Sequence, residues 1–131
     1  MSGGNFEKDF CYRELFTEED KKVFYRLRYR EYVLKRKWEL PNPERLERDE
    51  YEEFSRSFGW FMNKNGLLVA VARLIDGRLT TLPVKNYMTT NGIFFENSLE
   101  ISRFIVRKKS VRGYGPFFWN TRLFYNLYCF G

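Results

Sequence analysis

Histidine is missing from this chain of 131 residues. Its absence removes the commonest general base and the commonest zinc ligand. No metal site is expected, and any acid–base chemistry falls to carboxylates, tyrosines, lysines, cysteines, the backbone or water. Cysteine is scarce, with Cys11 and Cys129 near opposite ends. Residues 1–10 hold no apolar stretch of signal-peptide type, so the two cysteines read as free thiols rather than a staple. No apolar run approaches the roughly 20 residues needed to cross a bilayer. Cytoplasm is therefore the default compartment, with no membrane span. Neither an internal repeat nor a low-complexity tract is present.

Aromatic side chains, by contrast, make up 20% of the residues, and hydrophobic content is 44%. A chain of this length buries roughly two thirds of the surface its unfolded form exposes. We expect a single domain over 1–131, with a core dense in Phe and Tyr. The 23 basic and 17 acidic side chains leave a formal net charge of +6. That balance favours an anionic partner: nucleic acid, a phosphate-bearing cofactor or an acidic protein. Arg103, Arg107, Lys108, Lys109 and Arg112 fall within ten residues that contain no acid.

Residues 1–9 read as a loose leader. Thr17 before Glu18, Glu19 and Asp20 marks a helix start, and the helix should run to about Lys37. Phe24, Arg28 and Tyr32 succeed one another at steps of four and share a stripe. Pro41 and Pro43 prevent the helix from continuing, and residues 41–56 read as polar loop. Ser57–Met62 and Leu67–Leu74 have strand composition and are joined by Asn63, Lys64, Asn65 and Gly66, a hairpin signal. Asp76-Gly77 is another turn. Leu79–Tyr87 is ambiguous because Pro83 weakens a central strand. Leu99–Val106 reads as a strand, Arg107–Gly115 as a basic glycine loop and Trp119–Phe130 as an aromatic helix. The order suggests an α/β layer in which helices cover a mostly antiparallel sheet.

Several constellations carry chemistry. Arg28 is a planar donor suited to carboxylates, and Tyr32 and Trp38 supply flat apolar walls. On spacing alone, a surface helix with a snorkelling Arg is the default. Glu47, Asp49, Glu52 and Glu53 could hold a cationic ligand, salt-bridge to the basic helix or form a solvated loop, and the loop is the simpler reading. Glu100 is the sharpest case, in S-L-E-I-S-R-F-I-V. A carboxylate in such a strand has a paired Arg or a function. Strict alternation puts Glu100, Ser102 and Phe104 on one face and Leu99, Ile101 and Arg103 on the other. Only a bulge would bring Arg103 to the face of Glu100. Arg73 is a second candidate partner. The R-G-Y-G run at 112–115 fits either backbone recognition of a phosphate or a solvated turn.

Together these residues closely resemble the acyl-homoserine-lactone (autoinducer) synthases, within the acyltransferase superfamily shared with GNAT N-acetyltransferases. The resemblance rests on Arg28, Tyr32, Trp38, then Glu47, Asp49, Tyr51 and Glu52, then Arg73, and then Glu100, Ser102, Arg103, Phe104 and Val106. It runs from about Phe24 to Arg112. Tyr32 stands for the usual Phe and Glu52 for the usual second Asp. T-L-P-V-K-N-Y-M replaces the usual run between Arg73 and Glu100. That middle looks more like the N-acyl amino acid synthases and exosortase-system acyltransferases.

The resemblance implies an α+β, GNAT-like three-layer sandwich around a mostly antiparallel central sheet. The family's sheet continues past the helix that comes after E-x-S-R-F, so the chain reads as lacking those later strands. It further implies transfer of a fatty acyl group from acyl carrier protein, or from acyl-CoA, to the amine of S-adenosylmethionine, with lactone closure. Both are substrates; no bound cofactor is implied. Glu100 would be the base. Arg28, Tyr32, Trp38, Asp49, Glu52, Arg73, Arg103 and Phe104 would bind substrate, and Arg107, Lys108, Lys109 and Arg112 would dock the acidic carrier protein. An inactive short relative is one alternative. A basic nucleic-acid-binding module is another, although no RNP-like, zinc or helix-turn-helix motif is present.

Overall fold

Leu68 to Ile75 is an unbroken apolar run apart from Arg73, and in the computed structural model it forms a central strand buried along that whole stretch. The structure describes residues 6–86 and 97–107. In chain order these form a helical turn α1 (Phe6–Asp9), strand β1 (Phe10–Glu14), helix α2 (Glu18–Arg28), a π-helical segment Tyr29–Lys35 and a 3-10 turn Glu52–Phe54. Next come strands β2 (Ser55–Met62) and β3 (Leu68–Asp76), a second 3-10 turn Pro83–Asn86 and strand β4 (Leu99–Val106). The strands make one antiparallel sheet in the order β1-β2-β3-β4.

Local chemistry accounts for the joints. The β2–β3 hairpin closes over Asn63–Leu67, where Gly66 takes φ +71° and its N–H reaches the Met62 carbonyl at 2.8 Å. Glycine meets the left-handed requirement of that turn at no steric cost. Thr17 caps α2 by accepting from the Asp20 N–H at 3.0 Å, with three acids in the first turn favoured by the helix dipole. The helix does not run uniformly to Lys37. Past Arg28 it widens into a π-helical segment that ends with the Arg36 N–H on the Glu31 carbonyl.

Strand β1 lies where the leader was expected to give way directly to the α2 cap. Its five residues pair in register with β2, from Phe10 opposite Met62 to Glu14 opposite Phe58. The side chains alternate, with Phe10 buried and Cys11 and Arg13 exposed. Cys11 is a free thiol, as expected, while Cys129 lies outside the described residues.

Each sheet face carries its own apolar cluster. Beneath α2, Phe24 and Leu27 pack on Leu15, Phe61, Leu68, Val71 and Ile105. The opposite face gathers Phe10, Phe58, Trp60, Ala70, Ala72 and Leu74, with Tyr12, Phe104 and Val106 against them. Burying a side chain such as Phe24 contributes about 2–3 kcal/mol. Gly59 sits where β2 has no room: a Cβ there would meet Leu68 Cδ1 at 2.6 Å and the Ala70 carbonyl at 2.7 Å.

The fold is the mixed α/β class expected from the order of elements, and GNAT-like as the resemblance implied, with four antiparallel strands and α2 laid on one face. The expected helix at 119–130 lies outside the described residues. Among the described residues no helix is long and apolar enough to cross a membrane, and no group of His, Cys, Asp or Glu is placed to hold a metal ion.

Candidate functional site

The stripe Phe24–Arg28–Tyr32 turns inward, so Arg28 arrives under the sheet with no exposed surface. A buried guanidinium is tolerated only with full pairing. Glu47 supplies it with a fork: Nε to Oε1 at 2.9 Å and Nη2 to Oε2 at 3.0 Å. Glu52 takes Nη1 at 2.8 Å. The loop that carries these acids is pinned to α2 by the Glu47 N–H on the Tyr25 carbonyl, 3.0 Å. It also folds on itself, with the Asp49 N–H donating to Glu52 at 2.8 Å and the Tyr51 N–H to Asp49 at 3.0 Å.

Arg73 of β3 is equally buried and joins from the sheet. Its Nη1 reaches Asp49 at 2.7 Å and Glu52 at 3.0 Å, its Nη2 reaches Asp49 at 3.1 Å, and its Nε donates to Ser102 Oγ at 3.0 Å. Arg103 of β4 closes the network, with Nε on Glu47 at 2.6 Å and Nη2 on Asp49 at 3.3 Å. Three guanidiniums thus meet three carboxylates drawn from a helix, a loop and two strands. The solvated-loop reading of the acids is corrected for Glu47, Asp49 and Glu52; Glu53 alone of the four is exposed. Arg28 likewise does not snorkel. Its donors are all engaged below the surface, where it holds the acids in place.

The charge environment reflects this pairing. Burial would raise the carboxyl of Asp49, but the hydrogen bond and charge of Arg73, the Tyr51 N–H and Arg28 more than offset it and hold the group at about 2. Glu47 is likewise held below the usual carboxylate range against its burial, by Arg28 and Arg103. Burial of Arg28 opposes its charge, yet Glu52 and Glu47 raise its affinity for the proton.

A bulge in β4 makes this meeting possible. The β3–β4 register steps between Val71–Ile105 and Arg73–Ser102, so Arg103 and Phe104 together oppose Ala72. Arg103 takes φ +53°, a left-handed conformation costly for a residue with a Cβ. Its pairing with Glu47 and Asp49, and its guanidinium 5.0 Å from the centre of the Tyr32 ring, hold it there. The bulge brings Arg103 round to the side of Ser102. It also sends Phe104 to the opposite face, into the cluster with Trp60 and Ala72. The expectation that Phe104 shares a face with Glu100 and Ser102 is therefore corrected: one extra residue reverses the alternation after it.

Beside the network opens a cleft of about 450 Å3, walled by Asp49, Tyr51, Arg73, Glu100, Ser102 and Arg103, with Pro83 and Asn86 on its far side. Glu100 pairs with neither Arg73 nor Arg103. Its Oε2 accepts the Val84 N–H at 2.9 Å, and among the described residues no cation lies within ion-pair distance of it. Five carboxylates (Glu39, Glu47, Asp49, Glu50, Glu100) face three guanidiniums (Arg48, Arg73, Arg103), so the lining favours a cationic group by a formal −2.

Of the sequence-derived site residues, Asp49, Arg73, Glu100 and Arg103 meet at this cleft. Tyr32 lies beneath Arg103 and stacks on Trp38, ring centres 5.8 Å apart. Trp38 itself is 65% exposed and does not line the cleft. Glu52 faces a separate groove between α2 and β2. Arg107 is half-buried, its Nε enclosed and without a partner among the described residues, rather than a projecting charge. Lys108, Lys109 and Arg112 lie outside the described residues. Glu47 and Ser102 helped carry the resemblance without being assigned to catalysis or substrate binding, and the structure joins both to the network. The spacing of acids in E-R-D-E-Y-E was the available signal.

Comparison with known proteins agrees with this architecture. No family model and no curated protein matches the chain. Among solved structures the fold is similar to that of TofI, an acyl-homoserine-lactone synthase, in a crystal structure of its ternary complex with an inhibitor and MTA. The TM-score is 0.60 at 23% identity, over 79% of this chain and 60% of that one. This chain therefore spans less than two thirds of the neighbour's length. At this identity the likeness establishes the fold.

Proposed function

We propose that this chain carries the acceptor site of an N-acyltransferase of the autoinducer-synthase type. In this reading a fatty acyl thioester, carried by acyl carrier protein or coenzyme A, acylates the amine of S-adenosylmethionine, and lactone closure completes the reaction. The observation that carries the reading is the position of Glu100. Its carboxylate sits in the cleft wall one turn of the pleat from a strand bulge, with one oxygen tied to Val84 and, among the described residues, no cation neutralising it.

The chemistry grows out of those positions. An α-amine with a pKa near about 8 is mostly protonated at neutral pH and must lose a proton before it can attack. Oε1 of Glu100 takes that proton, directly or through one water. As the amine adds, the thioester carbonyl oxygen becomes negative. A bulge leaves one residue's backbone groups outside the ladder, and the N–H groups around Arg103 are the donors this reading assigns to that oxygen. Collapse of the adduct breaks the C–S bond, and the carrier leaves as a thiol carrying the proton that Glu100 took. The acceptor carboxylate oxygen then closes the lactone at the γ-carbon by displacing the sulfonium sulfur as a neutral thioether. Arg73 and Arg103 orient the acceptor carboxylate, and the excess of acids draws in its cationic sulfonium. The acidic carrier protein is assigned to Lys108, Lys109 and Arg112.

One observation keeps a second acceptor in view. The T-L-P-V-K-N-Y-M segment, which departs from the autoinducer-synthase pattern, supplies Val84 to Glu100 and Pro83 and Asn86 to the cleft. Acceptor choice therefore lies partly in the region that resembles the N-acyl amino acid synthases.

The test is to incubate the protein with acyl carrier thioester and S-adenosylmethionine and identify products by mass spectrometry. Lactone is expected, and Glu100→Gln should lower its rate by about 100-fold or more. Acylated amino acid without lactone moves the assignment to the second acceptor. Product formation by Glu100→Gln at the parental rate refutes the role of Glu100.

A further inference from the structure

Away from the cleft, the outer side of α2 and its π-helical extension carries a second pattern. Lys22, Arg26, Arg30 and Leu34 succeed one another at steps of four and are all exposed. That spacing lays them along one stripe. Unlike Lys21, Lys35 and Arg36, the three cations of the stripe have no carboxylate within ion-pair distance among the described residues. Among the described residues, then, nothing of opposite charge occupies them.

The stripe leads into a turn of unusual composition, Leu34-Lys-Arg-Lys-Trp-Glu-Leu40, in which every residue is exposed. Leu34 is 59% exposed, Trp38 65% and Leu40 86%. Three large apolar side chains within seven residues expose surface that a polar turn would not. The turn is built rather than loose. Lys37 adopts φ +57°, and the N–H groups of Trp38 and Glu39 both donate to the Tyr32 carbonyl, at 2.8 and 3.2 Å. Trp38 stacks on Tyr32 and has the guanidinium of Arg36 4.7 Å from its ring centre.

We infer that this face docks on an anionic lipid bilayer. Leu34, Trp38 and Leu40 would enter the headgroup boundary while Lys22, Arg26, Arg30 and Lys37 meet lipid phosphates. The chemistry favours a bilayer over a folded partner. Side chains this exposed form no walls of a pocket that would seat a partner's residue, whereas Trp and Leu flanked by cations match the depth-dependent polarity of a membrane interface. An unpaired row of cations suits a surface of uniform negative charge rather than one fixed acidic group. Glu39 lies between Trp38 and Leu40 in sequence and lines the cleft, so the docking turn borders the cleft mouth.

The experiment is sedimentation of the whole chain with phosphatidylcholine vesicles, with and without about one third phosphatidylglycerol. The protein should bind the anionic vesicles at least tenfold more tightly. It should be released by about 0.5 M NaCl, where screening shortens to a few ångströms. Two double variants on exposed positions separate the components: Arg26→Glu with Arg30→Glu, and Leu34→Ser with Leu40→Ser. Each should weaken binding about tenfold or more while leaving the thermal transition in place. Absence of binding at low salt, equal binding to both vesicles, or undiminished binding by either variant overturns the inference. So does preferential retention on single-stranded RNA or an acidic carrier protein over the anionic vesicles. The assay contains no acyl donor or acceptor, so its outcome is independent of the acyltransferase reading.

Discussion

Replacing Glu47 by Gln removes one negative charge from a site that is 5% exposed and shared by two arginines. Shape is nearly conserved, so the loss is electrostatic. The network changes from three charges of each sign to an excess of one positive charge. Arg28, with no exposed surface, keeps Glu52 at 2.8 Å and otherwise only Asp49 at 3.8 Å. Breaking one arm of a buried pair costs about 3–5 kcal/mol, because the remaining charge is left under-compensated. Gln retains one acceptor, which places the expected loss at about 3 kcal/mol. With an unfolding entropy of about 2.1 cal/mol/K per residue, a chain of this length should fall in Tm by about 11 °C. The control is Glu44→Gln, which breaks the exposed 3.0 Å pair with Arg48 and should cost less than about 1 kcal/mol. Both are read by thermal circular dichroism and checked by urea titration. If Glu47→Gln melts within about 2 °C of the parent, the network is not an electrostatic keystone of the fold.

Acid should dismantle the same network. The folded-state carboxyl of Asp49 lies at about 2, below its unfolded value of about 3.9, and Glu47 shifts in the same direction. The depressed values stabilise the fold above about pH 5, and that contribution is lost as the pH falls through the folded-state values. Urea midpoints should therefore be level from about pH 7 to about 5 and decline steadily below; a midpoint that rises on acidification contradicts the argument. Gly59→Ala should destabilise by about 1–3 kcal/mol, since the added methyl meets backbone oxygen as well as a flexible Leu68. A melting temperature unchanged by that substitution would show that β2 and β3 part more easily than their packing implies.

Much of the architecture was legible from short-range chemistry. Thr17 and the acids after it mark a cap, and Asn-Lys-Asn-Gly closes a hairpin because Gly66 adopts its φ at no steric cost. The strand composition of Ser57–Met62 identifies a strand, and the structure buries it between two clusters, with Phe58 and Trp60 on one face and Phe61 on the other. The candidate site was half legible. Arg73, Glu100 and Arg103 stand out as charges set among apolar residues, whereas Asp49 lies in a run of charges that reads as solvated loop. Strand β1 was not legible, because five residues with one Cys and two charges carry too little pattern to outweigh a terminal position.

Residue types and their spacing along the chain established the elements, the basic character of the molecule and the presence of costly buried charges. Folding in three dimensions settled whether those charges are solvated or paired. Glu47 and Arg103 are 56 residues apart, and no local propensity links them. Their contact exists because α2, the acid loop, β3 and β4 converge, and because desolvating each charge is tolerable only when all six arrive together. The bulge at Arg103 has the same origin. A left-handed Arg is unfavourable in an isolated strand and becomes favourable only once Glu47, Asp49 and Tyr32 are in place to receive it.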